Sequence, residues 1–411
     1  MEHMENIDSL RWRVVIGGMI CQVCAGTLYT WSVYANSLMS LHSWTKVQVS
    51  WTFSIAVLFI PIAQILGGKL LHKIGPAKVI FLGAAFLVSG LAVASFIPTI
   101  PALYLGYGFL GGIGVGFIYI IPVSTCAKWF PDRKGLVTGL IVAGFGLGSI
   151  LFTPLCLWLL KSMTAHSVFL VQAAIIVTGI IIGAPLMKIA PDGYSPKGWT
   201  PASTAADGTA TPSHNYTTPE MLRTRQYWFL LVMYLFANLG GLFVIGSASP
   251  IAQTVANLSP ELAGSIVVVL AIVNTIGRLI SGAAVDKLGA ARVVTIVYTG
   301  MAALFFSMPF MTTYALIAMG IGGVALCFGA IAGAYPTLVN EYFGVKYLST
   351  NYSFVFLAYG IGGFSASFVY GISERFFGGL SMTFTIIGIC CVIGVVMSLL
   401  AKKPVYKPAE G

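Results

Sequence analysis

The sequence predicts an all-α membrane protein with twelve transmembrane helices in two six-helix halves. Three observations support this class. Of the 411 residues, 57% are hydrophobic and only 8% are charged, whereas soluble domains carry about 25% charged residues. Mean hydropathy is +0.91. Apolar segments of about 20 residues, the length that crosses a bilayer core, follow one another along the chain.

One long polar segment, over 190–226, divides the apolar segments into two sets of six. It is rich in Pro, Ser, Thr and Ala, a composition that cannot bury a core and is typical of a flexible linker. The predicted organisation is therefore an N-terminal bundle over 1–189, a linker over 190–226 and a C-terminal bundle over 227–411. The spans are predicted near 13–38, 47–71, 77–97, 101–126, 135–160, 168–189, 227–255, 262–286, 292–311, 314–338, 351–373 and 382–401.

The distribution of lysine and arginine predicts how the chain is oriented. With both termini in the cytoplasm, 18 of the 22 basic residues fall in cytoplasmic tails and loops, whereas Lys46, Lys161 and Arg375 fall outside. This asymmetry follows the positive-inside rule. The net charge of +10 therefore reflects membrane topology, and the expected partner is the lipid bilayer, not nucleic acid. The short tails favour a multi-pass protein of a bacterial inner (plasma) membrane.

Side chains suited to catalysis or metal binding are absent from the predicted span interiors. All five His and all twelve acids fall in tails, loops or helix ends, so no enzyme activity, metal or cofactor is expected. Cys21 and Cys24 form a CxxC inside the first span, without a second pair or nearby His, and we interpret them as packing thiols. A receptor or scaffold, the alternative class, normally adds a soluble output domain, which this sequence lacks.

Two loops repeat the same pattern. GKLLHKIGPAK (68–78) and GAAVDKLGAAR (282–292) each place Gly first and eighth and a basic residue sixth and eleventh. They lie 214 positions apart, as do Pro122 and Pro336. Two parallel six-helix repeats indicate the major facilitator fold, in which substrate binds near the midplane between the halves.

Both loops resemble the major facilitator loop motif, Gly-x-x-x-Asp-Arg/Lys-x-Gly with trailing bases. The second loop has the acid, Asp286, whereas the first has His72 in its place. In the family this acid caps a neighbouring helix and latches the cytoplasmic gate. The resemblance thus implies a gating role for Asp286, and we assign Asp132, Arg133 and Lys134 to the same gate.

Three further stretches resemble the oxalate/formate antiporter branch and its monocarboxylate-transporter relatives. They are TLYTWSVYANSL (27–38), GGIGVGFIYIIPVSTCAKWFPDRKGLVTG (111–139) and NYSFVFLAYGIGG (351–363). The resemblance extends over essentially the whole chain and implies a secondary transporter that works by alternating access.

Arg278 is the one cation predicted inside a span. A guanidinium in hydrocarbon costs roughly 2.5–3.5 kcal/mol on insertion scales, and no acid lies in a span interior to neutralise it. Because the guanidinium fork matches a carboxylate bidentately, we predict that a substrate carboxylate is its counter-ion. The alternative is snorkelling, since Asp286, near the interface, is only eight residues or about 12 Å away.

Other site candidates surround this arginine. Asn274 shares its helical face and is expected to bind the anion or hold the guanidinium, with an interhelix contact as the alternative. Aromatic residues of spans four, ten and eleven are candidates as well, with packing as their alternative; Tyr335 is one of them. Resemblance to the oxalate exchangers implies cavity positions for Tyr119, Phe328, Phe356, Tyr359 and Leu28.

Two departures from the family pattern narrow the substrate and the mechanism. Oxalate exchangers pair the span-eight Arg with a span-eleven Lys, which is Tyr359 here, so a dianion would keep one carboxylate unpaired at low dielectric. We therefore predict a small monocarboxylate such as lactate or pyruvate. The proton-linked carriers have an Asp where this chain has Asn274, which cannot titrate. Resemblance still favours a proton as co-substrate, exchange and uniport remain open, and we expect a functional monomer.

Overall fold

The computed structural model describes the backbone of residues 2–191, 194–196, 214–376 and 379–404. Twelve helices in this part of the chain are long and apolar enough to cross a membrane, which confirms the predicted number of spans. No strand occurs among the same residues. The division at 190–226 stays a prediction, since 192–193 and 197–213 lie outside the described residues.

The spanning helices are numbered α1–α12 in chain order. The first is interrupted: Glu2–Ala25 is followed by a 3₁₀ turn, Gly26–Thr30, and by Trp31–His42. The fourth joins Ile100–Leu103, a π-helical segment Tyr104–Leu110 and Gly111–Trp129. The others are α2 Lys46–Ile74, α3 Pro76–Phe96, α5 Lys134–Leu159, α6 Ala165–Gly183, α7 Arg225–Ala256, α8 Pro260–Leu288, α9 Ala290–Ser307, α10 Tyr314–Phe343, α11 Leu348–Phe376 and α12 Leu380–Leu400. A short helix, Thr218–Leu222, precedes α7.

Hydroxyl caps start several of these helices. In six cases the side-chain oxygen accepts from the backbone N–H three residues later, and the caps are Thr45, Thr99, Thr164, Thr224, Ser259 and Thr313. Such a cap satisfies one of the N–H groups that have no partner inside the helix. Local sequence thus determines where these spans begin.

The halves α1–α6 and α7–α12, here called the N half and the C half, share one register. Helices α2 and α8 both have 29 residues and begin 214 positions apart, and α5 and α11 also begin 214 positions apart. Gly75 and Gly289 follow α2 and α8 with φ of +81° and +82°. Glycine is favoured there because a residue with a Cβ atom would clash with its own backbone at positive φ, whereas glycine does not. The two related loops therefore have the same backbone geometry.

The halves pack together through α2 with α11 and through α5 with α8. A Cβ added to Gly68 would lie 2.9 Å from the carbonyl carbon of Ser349, and one added to Gly282 would lie 2.6 Å from the Gly135 oxygen. Small residues permit such close approach of helices. We call these two contacts the basic-end seam. The basic end is the end where α2, α4, α8 and α10 finish, and it carries most of the Lys and Arg.

Candidate functional site

A small cavity lies between the two halves and has walls from both. Its volume is about 20 Å³, which is room for roughly one water molecule. The site is therefore contracted in this conformation. Its lining residues are Tyr29, Ile60, Val115, Tyr119, Phe145, Tyr234, Arg278, Phe328, Ala332, Phe356 and Tyr359.

Arg278 of α8 supplies the charge of this cavity. Its side chain is only 3% exposed, and Nη1 donates to the backbone oxygen of Val142 in α5 at 2.9 Å. Its Nε–H has no hydrogen-bond partner among the described residues. The Phe145 ring centroid lies 5.9 Å from the guanidinium carbon, a cation–π contact. The side chain thus points to the cavity and to the opposite half and does not snorkel to the interface.

Each carboxylate with a described side chain has a partner other than Arg278. The partners are Arg11 for Asp132, Thr217 for Glu220, Gly135 for Asp286 and Ala290 for Glu341. The remaining acids lie outside the residues whose side chains are described, namely Glu2, Glu5, Asp8, Asp192, Asp207, Glu261, Glu374 and Glu410. Within the described part of the chain, Arg278 has no acidic counter-ion.

Aromatic rings and phenol hydroxyls form the rest of the wall. The Tyr29 and Tyr359 hydroxyls lie 3.1 Å apart and join α1 to α11 across the two halves. Tyr359 stacks on Phe356 with 4.9 Å between ring centroids, and Phe356 lies 5.5 Å from the Tyr119 ring. An apolar wall with a few convergent polar groups is typical of a small-molecule site. This one offers a single cation and several hydroxyls.

Residues 18–367 match the family model of the Major Facilitator Superfamily. The chain belongs to the major facilitator superfamily. It is 34% identical over 362 residues to the uncharacterized MFS-type transporter YhjX of Escherichia coli (strain K12), a match that covers 87% of each chain. It is 29% identical over 358 residues to the oxalate:formate antiporter of Oxalobacter formigenes, covering 85% of this chain and 81% of the antiporter.

Solved major facilitator structures have the same fold. The transporter FucP in its outward conformation aligns with a TM-score of 0.73 at 15% identity, covering 95% of this chain and 98% of FucP. An identity this low indicates the shared fold alone. Together with the twelve apolar helices, these findings confirm the predicted fold and family. The protein is a multi-pass integral membrane transporter.

This major facilitator chain has an acid-to-helix latch at Asp286. One carboxylate oxygen accepts from the Gly135 N–H at 2.7 Å and the other from the Leu136 N–H at 2.8 Å. Both donors belong to the first turn of α5, where the helix dipole favours an anion. Because α8 and α5 belong to different halves, the bonds cross the basic-end seam. At the corresponding place in α2, the His72 ring contacts the Tyr347 ring at 6.2 Å between centroids.

The other predicted gate residues divide into two kinds. Lys134, at the start of α5, is near enough to Glu341 of the C half for their charges to interact, but no ion pair joins them among the described residues. Asp132 instead pairs with Arg11 at 3.2 Å, and Arg133 lies 4.0 Å from Asp132 with 59% of its side chain exposed. Arg11 of α1 thus supplies the Asp132 counter-ion within the N half, and the gating role assigned to Asp132 and Arg133 stays a prediction.

Three residues predicted to bind substrate are not among those that line the central cavity. The Asn274 amide donates to the Ala325 oxygen at 3.0 Å and holds α8 on α10, which is the interhelix alternative. The Tyr335 hydroxyl donates to the Leu230 oxygen at 2.9 Å, and its ring stacks on Tyr234 at 4.3 Å. Leu28 lines a separate small cavity within the N half. The structure brings Arg278, Tyr119, Phe328, Phe356 and Tyr359 together, as predicted.

Sequence reasoning missed six lining residues, which are Tyr29, Ile60, Val115, Phe145, Tyr234 and Ala332. A signal existed for Phe145, because it lies 214 positions before Tyr359 in the shared register. Tyr29 adjoins the predicted Leu28, but the 3₁₀ turn Gly26–Thr30 rotates successive side chains by about 120° and so presents the next residue. No pattern in the sequence distinguishes Tyr234 from ordinary packing residues.

Proposed function

We propose that this transporter carries a small monocarboxylate of the lactate or pyruvate type by alternating access around Arg278. The observation that carries the proposal is the buried guanidinium without an acidic partner among the described residues. A buried cation without a counter-ion is costly, and a substrate carboxylate would supply one in the bidentate geometry that arginine favours. Arg278, Tyr119, Phe328, Phe356 and Tyr359 would bind this substrate.

The names of several relatives support a carboxylate substrate. Besides the oxalate:formate antiporter, the chain is 28% identical over 188 residues to apicoplast pyruvate carrier 1 of Toxoplasma gondii. It is 27% identical over 179 residues to monocarboxylate transporter 13 of Rattus norvegicus. These two matches cover 35% and 43% of this chain. The shared chemistry is a carboxylate on a small molecule.

The charge of the cavity favours one carboxylate over two. Among the described residues that line it, Arg278 is the one cation, and Tyr359 offers a neutral hydroxyl. A dicarboxylate would leave a second charge among aromatic rings, where desolvation is unfavourable. The Tyr29 and Tyr359 hydroxyls suit a neutral group instead, such as the hydroxyl of lactate or the carbonyl of pyruvate.

We place the basic end in the cytoplasm, because the positive-inside rule puts Lys and Arg there. The basic-end seam closes the path from the cavity to that side, through Gly68 with Ser349 and Gly135 with Gly282. Transport then requires the seam to open while the opposite end closes. Asp286, which binds the start of α5 across the seam, and Lys134 at that same start would regulate this opening.

A proton is the proposed co-substrate. A monocarboxylate that enters with one proton moves no net charge, so the membrane potential does not oppose its uptake. A second candidate, anion exchange, is favoured by the match to the oxalate:formate antiporter over 85% of this chain. The two mechanisms differ in what drives accumulation, which is a proton gradient in the first and an internal anion in the second.

Uptake of radiolabelled lactate into proteoliposomes tests the proposal. We expect accumulation when the outside is made acidic, saturation with lactate, and competition by pyruvate but only weakly by oxalate. Vesicles without protein and vesicles with Arg278→Gln are the controls. Accumulation driven only by preloaded formate or oxalate would establish the exchanger instead. If lactate and pyruvate fail to enter under either condition, the proposed substrate class is wrong.

A further inference from the structure

Gln64 occupies the position in the N half that Arg278 occupies in the C half. It lies 214 residues before Arg278, the offset that also relates the first residues of α2 and α8. Because both helices have 29 residues and end in loops of the same backbone geometry, the two side chains project from equivalent turns. The sequence repeat therefore pairs an amide with the guanidinium.

The Gln64 amide is deeply buried. The residue is 0% exposed, and neither Oε1 nor Nε2 has a partner among the described residues. Buried amides are nearly always hydrogen-bonded, so an exception requires an explanation. Gln172 in α6 shows the usual arrangement, since it is 2% exposed and its Oε1 accepts from the Tyr34 hydroxyl at 2.6 Å.

Gln64 lies between the central cavity and the basic-end seam. It shares a helical face with Val57 and Gly68, at spacings of seven and four residues, and this face packs on α11. A Cβ at Gly360 would lie 3.4 Å from the Val57 oxygen, and Gly68 meets Ser349 at the seam. Ile60, which lies one helical turn before Gln64, lines the cavity, whereas Gly68 at the seam lies one turn after it. Separation of α2 from α11 would therefore bring Gln64 to the cavity wall.

We propose that Gln64 is a substrate-binding residue of the conformation that is open at the basic end, in addition to Arg278. The inference rests on the proposed monocarboxylate function. The amide N–H₂ donates to a carboxylate oxygen, and the amide C=O accepts from a hydroxyl on the neighbouring carbon. Gln64 is thus suited to a 2-hydroxy monocarboxylate, which it contacts only after the seam opens.

Transport from each face distinguishes this role from packing. In Gln64→Leu, which removes both polar atoms at similar volume, we expect the KM for lactate entering from the basic end to rise about tenfold. The KM from the opposite face should change less than twofold. Right-side-out and inside-out vesicles give the two values, and pyruvate, which lacks the hydroxyl, should show the smaller increase.

Gln172→Leu is the matched control, because it removes another buried N-half glutamine far along the chain from the seam. It should leave the ratio of the two KM values unchanged. Equal KM changes from both faces in Gln64→Leu, or no change from either, would overturn the assignment. Wild-type vesicles in the same experiment test the proposed function separately: no lactate entry in them refutes the substrate, whereas normal entry with an unaffected variant refutes only the role of Gln64. If Gln64→Leu does not fold, Gln64→Asn provides the same comparison, since its shorter amide should also raise the KM from the basic end alone.

Discussion

Helices α2 and α8 occupy equivalent positions in their halves but differ in the charge of their side chains at two corresponding sites. Where α8 has Arg278 and Asp286, α2 has Gln64 and His72. These two charged residues of α8 bind backbone atoms of α5, since Arg278 donates to the Val142 oxygen and Asp286 accepts from the Gly135 N–H. The α2–α11 contact is instead made by small residues, with Gly68 against Ser349.

This difference shows that a duplicated scaffold need not duplicate its electrostatics. One interface between the halves is held by charge-assisted hydrogen bonds, which are roughly twice as strong as neutral ones. The other is held by close packing and a neutral hydrogen bond from the Ser349 hydroxyl to the Gly68 oxygen at 3.4 Å, and it contains an amide without a partner among the described residues. We therefore expect substitutions in α8 to alter binding and conformation strongly, and equivalent ones in α2 to alter them mildly or from one face only.

Arg278→Lys should have the largest effect. A lysine keeps the positive charge but cannot form the bidentate fork, and a hydrogen bond to a charged group contributes about 1.5–3 kcal/mol. We expect the transport efficiency for lactate to fall on the order of a hundredfold, measured as initial uptake rate against concentration. Gln64→Lys, which places a lysine at the equivalent position of α2, is the comparison. It should change transport mildly or from one face only. Normal transport by Arg278→Lys would show that the guanidinium does not bind substrate.

Tyr359→Lys tests whether the number of cations sets the substrate class. A second cation in the cavity would pair with the second carboxylate of a dianion, so competition by oxalate against labelled lactate should strengthen about tenfold, which corresponds to roughly 1.4 kcal/mol. Tyr359→Phe removes the hydroxyl without adding charge and should show no such gain. Unchanged oxalate competition in Tyr359→Lys would contradict the charge argument.

The latch can be removed from one half and built in the other. Asp286→Ala deletes two hydrogen bonds to the start of α5. We expect the free energy of opening the basic-end seam to fall by about 1–3 kcal/mol, so the seam opens more often. His72→Asp should have the opposite sign and be smaller, about 0.3–1 kcal/mol, because an acid there would face the N-terminus of α11. Labelling of a cysteine introduced at Ser349 by a membrane-impermeant thiol reagent reports both changes. Labelling that moves in the same direction for both variants would refute the symmetry argument.

The smallest effect concerns pH at the end opposite the basic end. The Nε2 atoms of His42 and His166 lie 2.7 Å apart, and burial together with the neighbouring His166 lowers the pKa of His42. The neutral form is therefore favoured in the folded chain. Its stabilisation is present above the ordinary histidine pKa of about 6.5 and is lost as pH falls below that value. The positions of the C half that correspond to His42 and His166 are Ala256 at the end of α7 and Leu380 at the start of α12. This half therefore has no histidine pair at that end.

Thermal unfolding in detergent at several pH values checks this prediction. The midpoint should decrease slightly as pH falls from 7 to 5. His42→Gln keeps a hydrogen-bonding side chain but cannot titrate, so its midpoint should depend less on pH over the same interval. An identical pH dependence in both proteins would remove His42 from this role.

The sequence was sufficient for the features that depend on pattern. Hydropathy predicted the twelve spans, the 214-residue repeat predicted the shared register, and the absence of span acids singled out Arg278. Asp286 followed from the loop motif. These succeed because a bilayer allows few backbone solutions and because loop geometry needs glycine at Gly75 and Gly289.

Side-chain direction within a helix could not be read from the sequence. Asn274 and Arg278 share a face, yet the short amide meets α10 while the long guanidinium reaches α5. Tyr335 could line the cavity by its spacing, but stacking on Tyr234 turns it toward the Leu230 carbonyl. Such choices depend on which neighbouring helix offers an acceptor or a ring, and that follows from tertiary packing rather than periodicity.

The bond from Arg278 to a peptide oxygen of α5 has a consequence for leakage. A carbonyl oxygen carries no net charge, so it does not neutralise the guanidinium. The positive electrostatic potential of Arg278 therefore persists in the cavity when no substrate is bound. Sodium, potassium and hydronium ions entering from either side would be repelled by that field, which is strong in a medium of low dielectric constant. The arginine that attracts the cargo would thereby also keep alkali ions from slipping through an unloaded carrier.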